Sequence, residues 1–295
     1  MAEHATTVSL VLGSGGARGL AHIGVIRWLT EHGYAIRSIA GSSMGALVGG
    51  IYAAGKLDVY ANWVSALERM DVARLLDPSF GRTGLFKGER IMDVLRELIG
   101  DCSIEELPVS FTAVATDLDS GKEVWLRKGK LFDAIRASMA TPLIFTPFTH
   151  GGRRLLDGGL VNPIPIAPTL TDTTDLTVAV NLSGRAEARP SAPAPAPAPA
   201  HGGNAYRRRI RTFVEGLYPA RTSDTPMLGP VDIVYASMET MQNTIARLKL
   251  AAYSPDVAVD IPRNACGFYE FWRAQELIAL GHERTARAFA KTGQQ

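Results

Sequence analysis

A serine between glycines is the first residue in this sequence whose surroundings suggest nucleophilic chemistry. The pentapeptide Gly41–Gly45, GSSMG, follows the pattern G-x-S-x-G and lies between a predicted strand, Ile36–Ala40, and a predicted helix, Met44–Ala54. Glycines on both sides let the backbone make a sharp, strained turn that exposes the Ser43 hydroxyl, and the following helix favours negative charge there. We therefore predict that Ser43 is a nucleophile, with a chance Ser/Gly loop as the alternative.

A glycine-rich loop, GSGGARG at Gly13–Gly19, also lies between a predicted strand and a predicted helix. Unhindered N–H groups at a helix start bind an anion or a developing oxyanion. A phosphate-binding P-loop would need Gly-Lys-Ser/Thr, and a dinucleotide loop counted from Gly13 fails because Arg18 stands at its third glycine. We expect an oxyanion hole formed by the amides of Gly15 and Gly16, with Arg18 helping to hold the loop.

A serine nucleophile needs a base, and the histidines do not present one convincingly. No recognisable motif surrounds His22, His150, His201 or His282. Asp157 is the better candidate, because it follows an apolar run and begins a turn that two glycines keep open. A plain turn aspartate is the alternative interpretation.

The elements that must position these residues begin with two strand–turn–helix units. Val8–Leu12 predicts a strand, Leu20–Leu29 predicts a helix, and the unit around Ser43 repeats the pattern within the first 55 residues. Such repetition indicates an α/β fold with a parallel sheet. Further predicted elements are helices at Ile91–Leu98, Leu131–Ala140 and Phe271–Phe289, and strands at Phe111–Ala115, Glu123–Leu126, Thr177–Leu182 and Asp256–Ile261.

The composition changes after Gly184. Pro190–Ala200 is nearly pure Ala and Pro, which predicts an extended linker, and residues 185–221 contain seven arginines but only two glutamates. A solvated linker, an anionic-lipid contact and a nucleic-acid contact are the open interpretations. The arginines that would meet an anionic membrane are Arg207, Arg208, Arg209 and Arg211.

Order is expected to resume near Val231. The helical spacing of five apolar residues there predicts a helix whose apolar stripe faces the core. The stripe consists of Val234, Met238, Met241, Ile245 and Leu248.

Length and composition limit the remaining possibilities. A chain of 295 residues with 46% hydrophobic and 20% charged residues is ordinary globular material. Its net charge of +2 is too small to imply nucleic-acid binding by the whole chain, and two cysteines fit a reducing compartment. The amino terminus has no secretory-signal pattern, so we expect a cytoplasmic protein, with peripheral membrane contact as an option, and neither a metal nor another cofactor.

Four sequence blocks resemble the bacterial patatin-like phospholipases, close to their RssA-type branch. Ordered together along the chain, these blocks are far more specific than G-x-S-x-G alone. The resemblance covers roughly residues 6–183 and 231–290. Phe111–Gly121 also resembles the corresponding segment of this family. The blocks are Leu10–Gly24, Gly41–Gly45, Ala134–Ser138 with Pro142, and Leu156–Pro165.

The resemblance implies a three-layer α/β/α fold with a mainly parallel central sheet and a Ser–Asp dyad. Ser43 would be the nucleophile and Asp157 the base, and the oxyanion loop would contain Gly15, Gly16 and Arg18. The implied activity is hydrolysis of carboxylic esters of phospholipids or lysophospholipids through an acyl-enzyme. The family often has glycine where Ser14 stands, but both oxyanion donors are kept.

The expected organisation is one patatin-like domain over residues 6–290, with residues 184–230 as a flexible insert. Two other functions stay open. The same dyad could transfer its acyl group to an alcohol or a thiol, or the fold could serve a regulatory binding protein without turnover. The preferred acyl chain, the position cleaved on glycerol and the oligomeric state are not predicted.

Overall fold

The computed structural model of the chain describes residues 5–79, 84–187 and 230–293, with side chains of the last range described from residue 233. The chain divides into two compact units, residues 1–187 with 238–295, and residues 188–237. All but the last eight residues of the smaller unit lie outside the described residues, and so do Arg207, Arg208, Arg209 and Arg211. The 6–290 domain with its insert therefore stays a prediction.

One mainly parallel sheet organises the larger unit. Its strands follow the order β5-β6-β3-β2-β1-β7-β8, and β4 pairs with β3 beside this path. Strands β7, β1, β2 and β3 run parallel, whereas β4 and β6 pair antiparallel with β3. The strands are β1 Thr7–Leu12, β2 Ala35–Ser42, β3 Ser110–Asp117, β4 Glu123–Leu126, β5 Phe148–His150, β6 Arg153–Asp157, β7 Leu176–Gly184 and β8 Val257–Pro262.

Helices connect and cover these strands. The first two follow β1 and β2 directly, as expected for parallel strand–helix units. The helices are α1 Ala21–Glu31, α2 Met44–Ala53, α3 Leu57–Ser65, α4 Arg69–Leu75, α5 Glu89–Ile99, α6 Leu131–Ser138, α7 Pro230–Tyr253 and α8 Ala274–Thr292.

Both faces of the sheet are covered, which confirms the three-layer α/β/α fold. Alternate residues of β1 point to opposite faces, so Leu10 and Leu12 join the larger core with α1, α2 and α8, while Val11 joins a smaller core on the other face. Ala246 of α7 closes that smaller core, where it packs with residues of β1 and β7.

Register explains why the predicted site residues can meet. In β1 and β2, Leu12 pairs with Gly41, so the glycine-rich loop and the Ser43 turn leave the sheet at the same carboxyl edge. Ser42 pairs with Val114 of β3, and the next β3 residue, Ala115, pairs with Asp157 of β6. Asp157 therefore lies two strands from Ser43 at the same edge of the sheet.

The predicted elements all occur, with shifts of a few residues at their ends. The predicted hairpin partner Glu123–Leu126 is β4, antiparallel to β3, and the predicted last strand Asp256–Ile261 is β8. The closing helix begins later than predicted, because Phe271–Arg273 forms a 3₁₀ turn before α8 starts at Ala274.

The prediction for α7 is wrong in one respect, since its apolar stripe does not face the core. Val234, Met241 and Leu248 are 47%, 58% and 65% exposed. The helix is rotated so that the small Ala246 and the partly buried Leu250 meet the sheet, which leaves the larger apolar side chains outside. Spacing alone identified the helix but not the face that packs. The stripe's other two members, Met238 and Ile245, are partly exposed.

Within the described ranges, no helix combines the length and apolar character needed to cross a membrane.

Candidate active site

Ser43 occupies a strained turn between β2 and α2. Its backbone has φ 54° and ψ −120°, which a residue with a side chain rarely adopts. The turn is so tight that a Cβ on Gly41 would lie 2.4 Å from the carbonyl carbon of Gly45, and a Cβ on Gly45 would lie 2.0 Å from the carbonyl oxygen of Leu12. Both glycines of the G-x-S-x-G pattern are therefore required by close packing.

A side chain from α6 holds this turn. The backbone N–H of Ser43 donates to Oγ of Ser138 at 2.9 Å, and the Ser138 hydroxyl donates to the carbonyl oxygen of Val114 at 2.6 Å. Both bonds are buried, so neither group has water as a substitute partner. Ser138 thus links the nucleophile's turn to β3.

The Ser43 hydroxyl donates to Oδ2 of Asp157 at 2.7 Å, across 114 residues of sequence. Ser43 is 5% exposed and Asp157 is 3% exposed, so the pair is shielded from solvent. A serine hydroxyl bonded to a buried carboxylate has a proton acceptor within reach, which is the geometry that general-base activation of a nucleophile needs.

Two further donors hold the Asp157 carboxylate. The Thr141 hydroxyl donates to Oδ2 at 2.7 Å, and the backbone N–H of Gly159 donates to Oδ1 at 2.7 Å. Burial raises the pKa of Asp157 above its ordinary value, although the hydrogen bonds from Ser43, Thr141 and Gly159 oppose the shift. A carboxylate with a raised pKa is a stronger base toward an alcohol than a solvated aspartate.

The glycine-rich loop leaves two amides available. The N–H groups of Gly13, Ser14 and Ala17 donate to backbone carbonyls elsewhere in the chain, whereas those of Gly15 and Gly16 have no such partner among the described residues. Gly16 has φ +57° and lines the same cavity as Ser43. The loop therefore offers two adjacent N–H groups close to the nucleophile.

Arg18 is buried and directed into the protein framework. Its guanidinium donates to the carbonyl oxygens of Gly15 at 3.2 Å and Arg263 at 2.5 Å, and it forms an ion pair with Glu239 of α7 at 2.8 Å. Arg18 thus holds the glycine-rich loop through a backbone carbonyl oxygen and leaves the N–H groups of Gly15 and Gly16 unused. This is consistent with the expectation that Arg18 helps to hold the loop.

His22 also supports this loop. Its Nε2 lies 2.8 Å from the carbonyl oxygen of Gly13, so Nε2 carries the proton and donates it to that oxygen. Burial lowers the pKa of His22 to about 4, and the ring is therefore neutral at physiological pH. Of the other histidines, His282 pairs with Glu31 at 2.8 Å, His150 lies on β5, and His201 lies outside the described residues.

An apolar cavity begins at Ser43 and extends between the helices that follow α2. The cavity itself has a volume of about 70 Å³, and the wider pocket around it is partly open to solvent. Its wall contains Gly16 and Thr141 beside the nucleophile and is otherwise almost entirely apolar. Six of the wall residues are Tyr60 and Val64 of α3, Val72 and Leu75 of α4, and Ile91 and Leu95 of α5.

The structure brings together Ser43 and Asp157 and places the loop of Gly15, Gly16 and Arg18 at the same edge of the sheet. Sequence reasoning missed Ser138 and Thr141. Ser138 ends the Ala134–Ser138 block, to which the resemblance assigned no role, and Thr141 precedes Pro142 in the same stretch. Many of the cavity residues come from helices α3, α4 and α5, which carry no motif.

Comparison with known proteins identifies the family. The profile described as "Patatin-like phospholipase" matches residues 10–170, more than half of the chain. The chain belongs to this patatin-like phospholipase family. It is therefore a lipid ester hydrolase in the general sense of that family. The comparisons do not specify a branch, so the RssA-type assignment stays a prediction.

Relatives extend the similarity beyond the matched profile. An NTE family protein of Mycobacterium tuberculosis is 39% identical, with 95% of this chain and 91% of that protein covered. The lysophospholipase NTE1 of Yarrowia lipolytica is 30% identical over 62% of this chain and 13% of that protein. The crystal structure of VipD from Legionella pneumophila aligns with 98% of this chain and 67% of that chain, with a TM-score of 0.43 and 11% identity.

Proposed function

We propose that Ser43 and Asp157 form a Ser–Asp dyad that hydrolyses carboxylic esters of phospholipids or lysophospholipids through an acyl-enzyme. The observation that carries this proposal is the buried 2.7 Å hydrogen bond from the Ser43 hydroxyl to Asp157. Three features of its setting support the proposal: a strained turn, an apolar cavity, and two loop amides that have no backbone partner among the described residues.

In the first half of the reaction, Asp157 accepts the Ser43 proton while Ser43 Oγ attacks the acyl carbonyl carbon. The oxygen of that carbonyl becomes an oxyanion, which the amides of Gly15 and Gly16 stabilise. The bond between the acyl carbon and the leaving oxygen then breaks, and the leaving alcohol takes the proton from Asp157. The acyl group stays on Ser43 as an ester.

In the second half, water takes the place of the leaving alcohol. Asp157 accepts a proton from the water, whose oxygen attacks the acyl carbon, and the same amides hold the oxyanion. Ser43 Oγ leaves and recovers its proton from Asp157, which releases the fatty acid. An aspartate of ordinary pKa, about 3.9, is a weak base toward an alcohol, so the burial that raises the pKa of Asp157 serves both halves.

The cavity supports a long acyl chain as the part of the substrate that binds. Burying each CH₂ group of such a chain contributes about 0.8 kcal/mol, so an apolar wall favours fatty acyl esters over short ones. A cavity at Ser43 fits one acyl chain of a lysophospholipid, and the Yarrowia relative is named a lysophospholipase. We propose lysophospholipids as the preferred class.

Product analysis tests this proposal. Wild type is expected to release fatty acid from lysophosphatidylcholine faster than from phosphatidylcholine, and Ser43→Ala is expected to release none. An added alcohol acceptor distinguishes hydrolysis from acyl transfer, because a transacylase would form the acceptor's ester in place of free fatty acid. Equal release by wild type and a folded Ser43→Ala would contradict the dyad.

We also propose peripheral contact with an anionic membrane through Arg207, Arg208, Arg209 and Arg211. The support is their charge in the sequence, since these residues lie outside the described ones. Replacing all four is expected to weaken binding to anionic vesicles at low salt. Unchanged binding by that variant would remove the idea.

A further inference from the structure

The wall of the apolar cavity includes a tyrosine whose hydroxyl has no part in the proposed mechanism. Tyr60 of α3 lines the cavity and is only 2% exposed. Its backbone N–H donates to the carbonyl oxygen of Lys56, and its ring lies 6.0 Å from that of Trp63. Within the described residues its hydroxyl has no hydrogen-bond partner.

The Tyr60 hydroxyl is not a fully buried atom, since its side chain lines the cavity. An acyl chain that fills the cavity would remove solvent from this hydroxyl, and a desolvated hydroxyl without a partner costs free energy that a phenylalanine would avoid. Burial raises the pKa of Tyr60, with no hydrogen bond contributing to the shift, so the hydroxyl stays neutral and can donate or accept.

Most of the wall near Tyr60 is apolar, as at Val64, Val72 and Leu95. Ser43 and Thr141 are both bonded to Asp157, and the other wall residues with a polar group are Trp63 and Tyr269. A chain of CH₂ groups in this cavity would therefore leave the Tyr60 hydroxyl unpaired. A chain that carries an oxygen atom at the level of Tyr60 would satisfy it.

We propose that the enzyme's acyl site accepts oxygenated fatty acyl chains, and that the Tyr60 hydroxyl recognises an oxygen atom carried part-way along the chain. A hydroxyl on the chain fits this role, because it both donates and accepts. Tyr60 is then a specificity-determining residue, whereas Ser43 and Asp157 perform the same chemistry on every ester.

This inference rests on the proposed function, in which the acyl chain enters the cavity beside Ser43. An unsubstituted ester is therefore the reference substrate, because its hydrolysis tests the proposed function without involving the Tyr60 hydroxyl. The substrates are nitrophenyl esters of one fixed chain length, with a single hydroxyl moved along the chain. The measured quantity is the ratio of kcat/KM for each hydroxy ester to kcat/KM for the unsubstituted ester.

For wild type, we expect this ratio to rise to about fivefold at one hydroxyl position, the gain expected from one net hydrogen bond. For Tyr60→Phe, which removes only the oxygen, the ratio at that position is expected to fall to about one. Tyr52→Phe is the matched control, because Tyr52 is a half-buried tyrosine of α2 that does not line the cavity. It is expected to keep the wild-type ratio.

The outcomes separate this inference from the proposed function. Hydrolysis of the unsubstituted ester without a preference at any hydroxyl position overturns the inference and leaves the proposed function standing. A preference that Tyr60→Phe retains also overturns it, since another group then recognises the oxygen. A folded wild type that hydrolyses neither ester overturns both.

Discussion

The residues around Ser43 and the cavity beside them are built from different parts of the chain. Ser43, Asp157 and the Gly15–Gly16 loop lie at strand ends and glycine turns, where sheet register fixes their positions. Much of the cavity wall comes from helices α3, α4 and α5, and every side chain of α4 is at least partly exposed. The Ser43 site is thus positioned by the sheet, whereas much of the cavity wall is positioned by helices.

From this difference we expect catalysis and substrate choice to be separable in this molecule. Changes at the strand ends should affect all substrates alike, because every ester would use the same proposed dyad. Changes in the cavity should alter the choice among substrates and spare the dyad.

Asp157→Asn should lower kcat by about 10³-fold for every ester, because the amide cannot accept the Ser43 proton. The same change should not lower the free energy of unfolding at neutral pH. A buried carboxylate whose pKa is raised on folding costs stability above that pKa, and Asn removes this cost. Kinetics on a chain-length series and chemical denaturation check the two parts. A loss of kcat for only some acyl chain lengths would contradict the separation of catalysis from substrate choice.

Ser138→Ala should lower the free energy of unfolding by about 2 kcal/mol, because the buried N–H of Ser43 loses its acceptor. Activity should fall for all esters as the strained turn relaxes. Ser42→Ala is the matched control, since Oγ of Ser42 is buried and has no hydrogen-bond partner among the described residues. Chemical denaturation should show little change in that variant. Equal losses in both would refute the role given to Ser138.

The pH dependence of kcat/KM should show an acid limb above the ordinary pKa of aspartate. Asp157 must be ionised to accept the proton, and burial raises its pKa, so activity is lost as pH falls through the raised value. Below it, the rate should fall about tenfold per pH unit. The limb should lie at the same pH for short and long acyl chains. An acid limb whose pH changes with chain length would show that the cavity and the Ser43 site do not act independently.

Val72→Trp should shift the preference toward shorter acyl chains, because Val72 of α4 lines the cavity. Each CH₂ group that is excluded should lower kcat/KM about fourfold, corresponding to about 0.8 kcal/mol. Met70→Trp is the matched control, since Met70 lies on the same helix and is 51% exposed. Its chain-length profile should equal that of wild type. Identical chain-length profiles for both variants would show that the substrate's acyl chain does not bind in this cavity.

Sequence reasoning found the fold because its signals were local. Glycines at turns, short buried strands and the 3.6-residue spacing of helices are all properties of neighbouring residues. For the same reason, Ser43 and the Gly15–Gly16 loop could be predicted from their places after β1 and β2. Asp157 could be named as a candidate, but its bond to Ser43 depends on pairing among β2, β3 and β6, which no local pattern shows.

The remaining features depend on tertiary packing. Ser138 and Thr141 act through side-chain hydrogen bonds to residues outside their own segment, so no local sequence pattern could reveal their roles. The face of α7 that packs is decided by the fit of the small Ala246 against β1 and β7, and the larger residues of its stripe stay exposed. The unpaired Tyr60 hydroxyl is visible only once the cavity around it is formed.

Covalent labelling tests whether Asp157 activates Ser43. The intact mass of wild type, Ser43→Ala and Asp157→Asn would be measured after exposure to a fluorophosphonate, which reacts with activated serines whatever the natural substrate is. We predict one adduct on wild type, none on Ser43→Ala, and labelling of Asp157→Asn slowed by about 10³-fold. An adduct on folded Ser43→Ala, or labelling of Asp157→Asn at the wild-type rate, would contradict the dyad.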